Sequence, residues 1–308
     1  MSHFCNLCGQ PIRGGYHIYR RGDTASAKGL IVCPRCERTA PRCTACRVPM
    51  NQRVDADGLC ATCRVSTPCC ASCGKRIHGR YYRNRAGDTI YCEVCFKGQP
   101  RCDICGGVAG AGGYRLHDGR HICTDCHETA VYDGAKASEV YYQVLDLLAR
   151  DVGLSLSVPP ALSLVDRNQM LALFAQTKAD DADRPDLVFG LFVRRGRKRS
   201  IHVESGLPQI LMIQVLAHEL AHAWQGENCP LLRDPLFREG FAEWVAYRVL
   251  LALGAVKKAA LMLQRTDLYG QGLQAVLALE QQGGSAAVYG ACQGHLSIHT
   301  KDRDSYYD

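Results

Sequence analysis

No stretch of the chain approaches the roughly 20 consecutive apolar residues that a membrane-spanning helix requires, so no membrane association is expected. The opening residues Met1-Ser2-His3-Phe4-Cys5 show neither a charged head nor an apolar run. Without an export signal of that kind, the expected compartment is the cytoplasm. Also missing is the varied cysteine spacing of a secreted disulfide framework. The cysteines must therefore serve another purpose.

There are 19 of them in 308 residues. Sixteen fall into eight Cys-x-x-Cys pairs: Cys5/Cys8, Cys33/Cys36, Cys43/Cys46, Cys60/Cys63, Cys70/Cys73, Cys92/Cys95, Cys102/Cys105 and Cys123/Cys126. A two-residue gap lets both thiolates of a tight turn face one tetrahedral ion, and two such turns complete a four-cysteine zinc site. Zinc ligation also changes the charge. The formal +7 treats cysteine as neutral; sixteen thiolates with five zinc ions bring it to about +1. The apparent basicity is thus no signature of nucleic-acid binding, and none is expected.

The cysteine-rich half is a duplication. Cys5-Asn-Leu-Cys8-Gly9 recurs 65 residues on as Cys70-Ala-Ser-Cys73-Gly74, and Arg21-Gly22-Asp23-Thr24 is echoed by Ala86-Gly87-Asp88-Thr89. Pro41-Arg42-Cys43 returns 59 residues on as Pro100-Arg101-Cys102, the difference lying in the longer Ala25 to Ile31 stretch of the first copy. Each copy holds two zinc sites. Copy one has Cys5, Cys8, Cys33 and Cys36, then Cys43, Cys46, Cys60 and Cys63. Copy two has Cys70, Cys73, Cys92 and Cys95, then Cys102, Cys105, Cys123 and Cys126. Cys69 leaves open which neighbour pairs with Cys73, and Cys229 and Cys292 read as ordinary buried thiols. Short alternating segments such as Tyr81 to Arg83 and Ile90 to Cys92 suit small hairpins. Modules of this size bury little apolar surface, so metal supplies their folding energy. The expected divisions are 1–66 and 67–127 for two double zinc modules, 128–300 for a second kind of domain, and 301–308 for a tail.

Past residue 127 the pattern changes. Ser138 to Arg150 has helical spacing with Ser138 as cap and Gly153 as stop. Ala161 to Val165 reads as a strand, Gln169 to Gln176 as a helix, and Asp180 to Asp186 as a polar loop. Leu187 to Arg194 and Ser200 to Glu204 read as two strands around Arg195-Gly196-Arg197-Lys198-Arg199, a solvated basic turn. Gly206-Leu207-Pro208 introduces a long apolar helix, with Pro208 expected in its first turn.

That helix carries His218-Glu219-Leu220-Ala221-His222. Histidines four apart share one helical face and can hold one ion, with Glu219 able to reach a water on it. Asp234-Pro235 opens a second helix carrying Glu239, 17 residues past His222, and Glu243 one turn further. His218, His222 and one of these carboxylates leave a fourth position for water, the catalytic pattern for zinc. Glu239 is the expected ligand and Glu243 the carboxylate orienting a ligating histidine, although Glu243 is a rival for the metal. Ile201-His202-Val203-Glu204 reads as an edge strand able to pair with an extended substrate. Tyr269, in Tyr269-Gly270-Gln271-Gly272, is a candidate oxyanion donor or simply a packed aromatic at a helix entry.

Leu216-Ala217-His218-Glu219-Leu220-Ala221-His222-Ala223-Trp224 after Gly206-Leu207-Pro208, with Glu239-Gly240 beyond, resembles the peptidase domain of the DA-type LIM peptidases. These are ubiquitin-activated proteases limiting organ size in plants, with bacterial relatives. Ala161 to Arg167, Asp118-Gly119-Arg120-His-Ile-Cys123-Thr-Asp-Cys126 and the Tyr269 to Gly272 element extend the resemblance over roughly residues 70 to 282. It implies tandem LIM-like modules followed by a gluzincin-type zinc endopeptidase, in an α+β fold. The implied roles are metal ligation by His218, His222 and Glu239 and general-base work by Glu219. Four structural zincs and one catalytic zinc are expected, with protein substrates and a possible protein partner on the modules. No segment like the plant proteins' ubiquitin-interacting helices precedes the first module, so ubiquitin dependence is left open. The rival expectation is a non-catalytic adaptor on a peptidase-like fold.

Overall fold

The computed structural model describes residues 3–20, 29–51, 58–177 and 188–294. Arg21 to Thr24, most of the Ala25 to Ile31 stretch, the Asp180 to Asp186 loop, Leu187 and the 301–308 tail lie outside the described residues. Chain contacts divide into two compact units, Met1–Gln99 and Pro100–Asp308. The division falls inside the second repeat, so its two cysteine tetrads belong to different units.

The N-terminal unit is built from hairpins and short helices. Strands β1 (His17–Tyr19) and β2 (Leu30–Val32) pair antiparallel, followed by α1 (Pro34–Thr39) and α2 (Ala61–Ser66). The second copy repeats this with β3 (Tyr81–Arg83), β4 (Ile90–Cys92) and α3 (Glu93–Gly98). One cysteine pair of each tetrad sits on a knuckle turn and the other opens a helix, with Cys33, Cys60 and Cys92 as the N-caps. Knuckle geometry demands a left-handed residue, supplied by Gly9, Gly74 and, in the other unit, Gly106. The knuckle of Cys43 and Cys46 uses Arg47 instead, at φ 60°, a conformation costly for a residue with a Cβ.

The C-terminal unit begins with the fourth tetrad. Strands β5 (Tyr114–Arg115) and β6 (His121–Ile122) form its hairpin, and α4 (Thr124–Glu128) starts at Cys123. Strand β7 (Ala130–Val131) leads into α5 (Gly134–Leu147). This helix starts earlier than its spacing suggests, because Asp133 and not Ser138 caps it, accepting from the Lys136 N–H at 2.8 Å. A wider turn over Leu148–Val152 ends it at Gly153, which is left-handed as expected. Then come β8 (Ala161–Val165), α6 (Arg167–Thr177), β9 (Gly190–Arg195) and β10 (Lys198–Glu204).

These three strands form one sheet in the order β8-β10-β9, β10 running parallel to β8 and antiparallel to β9. The segment Ile201 to Glu204 is therefore central, not the edge its sequence suggested; β8 and β9 are the edges. The reason is burial on both sides: Ile201, Val203 and Glu204 are all sealed from solvent. Pro208 also departs from expectation. With Leu207 it forms β11 (Leu207–Pro208), which pairs antiparallel with β7, so Pro208 caps the following helix rather than lying within it.

Helices α7 (Gln209–Asn228) and α8 (Pro235–Ala252) pack together, joined by a short turn that Asp234 closes as N-cap. Helices α9 (Val256–Met262) and α10 (Leu268–Cys292) follow, α10 being broken at Gly283 and Gly284. Helices α8 and α10 approach until their backbones touch: a Cβ on Gly272 would lie 2.7 Å from the Gly240 Cα and 2.5 Å from the Leu236 carbonyl oxygen. The core fills the space between with Val140 and Val144 of α5, Met212, Leu216 and Leu220 of α7, and Phe241, Trp244 and Val249 of α8. Among the described residues no helix is long and apolar enough to cross a membrane.

Candidate metal centre

Four sulfur clusters come first. Each of the four cysteine tetrads gathers its Sγ atoms within 4.8 Å of one another. Zn–S bonds of about 2.3 Å in a tetrahedron require sulfurs about 3.8 Å apart. The structure places Cys8 and Cys33 3.9 Å apart, Cys46 and Cys60 3.9 Å, Cys73 and Cys92 4.0 Å, and Cys105 and Cys123 3.8 Å. Cys70 is buried in its tetrad and Cys69 is exposed outside it, which settles the register. Electrostatics fit a cation-binding cluster. Burial raises the thiol pKa of Cys36, Cys63 and Cys95 to about 12, helped by the neighbouring sulfurs. Burial acts the same way on Cys5, Cys43 and Cys70, but backbone N–H groups prevail and hold these to about 6. Alone, such a tetrad does not carry four thiolates; a dication lets it. The four tetrads fit structural zinc sites.

The fifth cluster is of another kind. Helix spacing puts His218 and His222 on the face of α7 that meets α8, and their Nε2 atoms lie 3.0 Å apart. Glu239 of α8 directs Oε2 at both, 3.4 Å from His218 Nε2 and 3.3 Å from His222 Nε2. An ion at about 2.0–2.2 Å from three N/O donors in a tetrahedron needs donor separations of about 3.3–3.6 Å. The two separations to Glu239 meet that spacing and the one between the histidines is slightly shorter, so the three atoms fit one face of such a site. Glu243, the rival from sequence, is turned away from that face: its Oε1 lies 3.2 Å from His218 Nδ1, on the far side of the ring.

The supports of these groups are specific. Burial works against a charged His218, yet Glu239 and Glu243 together push it up to about 10. Burial likewise opposes charge on Glu239, but both histidines hold its carboxyl far below the usual range. His222 Nδ1 meets Gln225 Oε1 at 2.9 Å, and the Gln225 amide donates to the Arg238 carbonyl at 3.0 Å. That pairing fixes the ring and leaves Nε2 free for an ion. Gln225 carried no motif signal, since its role depends on a carbonyl from the next helix.

Glu219 is buried beside the pair, and its Oε2 accepts the Phe192 N–H of the edge strand β9 at 2.8 Å. Gly190, two residues earlier, is a position that sequence reasoning passed over. A Cβ there would come within 3.1 Å of Glu219 Oε1 and would overlap Val215, so only glycine lets the strand lie this close to the carboxylate. Tyr269, half-buried at the start of α10, has its ring 5.9 Å from that of His218 and the Arg265 guanidinium 4.8 Å over its face. Burial, with the charges of Glu239 and Glu219 nearby, pushes its hydroxyl up to about 12. It stays a proton donor across the neutral range. Arg265 also reaches Glu243 at 3.4 Å.

Cys229 and Cys292 are buried as expected, but they are also neighbours, with sulfurs 2.7 Å apart.

Comparison with known proteins adds a family to this geometry. Residues 70–131 match the LIM domain. The chain is 25% identical over 228 residues to protein DA1-related 7 of Arabidopsis thaliana, a match covering 60% of this chain and 40% of that protein. It is 25% identical over 256 residues to protein DA1-related 1 of the same plant, covering 58% and 45%. DA1-related 2 is 26% identical over 163 residues, covering 44% and 31%. The matched regions thus span less than half the length of each relative. No solved structure matches the chain. The zinc tetrads, the LIM match and these relatives agree: the chain is a zinc-module protein with a LIM domain over residues 70–131, similar to the DA1-related LIM proteins.

Proposed function

We propose that the C-terminal unit is a zinc-dependent endopeptidase. The observation that carries this reading is the convergence of His218, His222 and Glu239 at 3.0–3.4 Å beside the buried carboxylate of Glu219. Two histidines and one carboxylate are the donor set of a hydrolytic zinc site with an open position, the gluzincin arrangement. Zinc bound there would lower the pKa of a water towards neutrality and polarise a peptide carbonyl.

The chain's own residues do the rest. Glu219 takes the proton of the attacking water and passes it to the leaving amine. Tyr269, protonated at neutral pH, donates to the oxygen that gains charge in the transition state. Edge strand β9 offers its unpaired side to an extended peptide, which the backbone hydrogen bonds of an added strand would hold beside Glu219. Glu243 and Gln225 keep the two imidazoles aimed. The similarity to DA1-related proteins supports the assignment by family, and the four zinc modules are read as binding surfaces for a protein partner.

The test uses the full chain and its Glu219→Gln variant on an unfolded generic protein, with zinc content measured in parallel. The expected result is cleavage by the wild type, a loss of about 10²–10⁴-fold in the variant, and equal zinc in both. Retained turnover in Glu219→Gln places the base elsewhere. A fully zinc-loaded wild type that cleaves nothing favours the adaptor reading.

A further inference from the structure

Cys229 and Cys292 lie outside every metal cluster found among the described residues. Cys229 closes α7, its N–H bonded to the Gln225 carbonyl at 2.8 Å, and is only 5% exposed. Cys292 is the last residue of α10 and 1% exposed. The 2.7 Å between their sulfurs is far inside the 3.8–4.0 Å spacing of the zinc tetrads. Among the described residues no third or fourth Cys, His, Asp or Glu donor joins them, so those residues offer a metal no complete shell. Two thiols in contact are placed for oxidation to a disulfide.

We propose that Cys229 and Cys292 form an oxidisable pair that closes to an intramolecular disulfide, with a low-molecular-weight disulfide as oxidant. One cysteine thiolate attacks a sulfur of oxidised glutathione and expels one glutathione thiolate. The second cysteine then attacks the mixed disulfide and releases the other. The two protein thiols give up two electrons and two protons, and glutathione disulfide gains them as two glutathione thiols. Gly283 and Gly284 interrupt α10 with non-helical dihedrals (φ −143°, ψ 18° and φ 66°, ψ −173°), which sets the segment carrying Cys292 apart from the rest of the helix. That segment is held by Tyr289, whose ring packs on Trp224, Phe241 and Trp244 and whose hydroxyl bonds the Val152 carbonyl.

The bond fastens the end of the histidine-bearing helix to the end of the last helix across 63 residues of chain. Its effect is a restricted unfolded state and a more stable C-terminal unit. The sixteen thiolates of the tetrads are protected from the same oxidant when zinc holds them.

The experiment incubates the zinc-loaded full chain with oxidised glutathione, alkylates free thiols, and maps peptides under non-reducing conditions. The expected outcome is a linked Cys229–Cys292 peptide lighter by two hydrogens, unchanged zinc content, and a melting temperature raised by roughly 5–10 °C. Reduction reverses the shift, and Cys229→Ala and Cys292→Ala each abolish it. Where one variant fails to fold, the other carries the comparison. Two alkylated cysteines after oxidation, or zinc lost at the dose that first links the pair, overturn the proposal.

Discussion

The third and fourth tetrads are made of the same local parts. Cys70, Cys73, Cys92 and Cys95 and Cys102, Cys105, Cys123 and Cys126 each combine a knuckle turn, a small hairpin and a short helix opening on a cysteine. Their surroundings differ completely. The third leaves Val94 81% exposed and belongs to the N-terminal unit. The fourth contributes Cys102, Ile104, Ile122 and Cys123 to the continuous core that also holds Leu216 and Phe241. It is further joined by buried charges. Arg120 donates to Glu204 at 2.9 Å, to Asp118 at 2.9 Å and to the Ser205 carbonyl at 2.8 Å, while Arg167 meets Glu204 from the other side at 2.5 Å. The same local parts thus lie in different surroundings, and the fourth set forms a wall of the histidine-bearing lobe.

Zinc loss separates the two most strongly. Cys126→Ala should unfold the C-terminal unit, since structural zinc supplies on the order of 10 kcal/mol to such a module and here the core leans on it. Cys95→Ala should release one zinc and leave the melting of the C-terminal unit unchanged. Calorimetry with metal analysis reads both, and equal damage from the two variants would break the distinction. Next in size is the buried ion cluster. Arg120→Met leaves Glu204 to Arg167 alone and takes from Asp118 its side-chain partner in a sealed site, and should cost about 1–3 kcal/mol, seen by denaturant titration. A cost below about 1 kcal/mol would mean that the cluster does not weld the tetrad to the sheet.

At the histidine site, Gln225→Ala should weaken zinc binding by about 10–100-fold in a chelator competition without touching the four sulfur sites. The smallest effect concerns the knuckles themselves. Arg47→Gly relieves a left-handed non-glycine and should stabilise the second tetrad by about 0.5–1 kcal/mol; a destabilised variant would show that the Arg47 side chain contributes more than its backbone costs.

The features legible in the sequence were those whose partners lie close along the chain. Cysteine pairs with one spacing, histidines one helical turn apart, and the Asp234-Pro235 helix start all announce themselves locally. Glu239 and Glu243 lie one turn apart on one helix, so the sequence narrowed the third ligand to these two without separating them by spacing alone. Sheet order was not: an alternating segment such as Ile201 to Glu204 reads alike at an edge and in the middle, and only the burial of Glu204 by Arg120 and Arg167 distinguishes them. Arg120 itself reads as one more surface charge, because its partners lie 84 and 85 residues on. Gln225, Gly190 and the Cys229–Cys292 contact were hidden for the same reason.

The proposed hydrolytic site lies in the unit Pro100–Asp308, which also contains the fourth tetrad. Purifying residues 100–308, counting zinc and assaying cleavage of the unfolded protein tests it most directly. The account predicts a folded fragment with two zinc ions per chain and peptidase activity lost in Glu219→Gln. A folded fragment with two zincs and no activity, beside an active full-length chain, would contradict it.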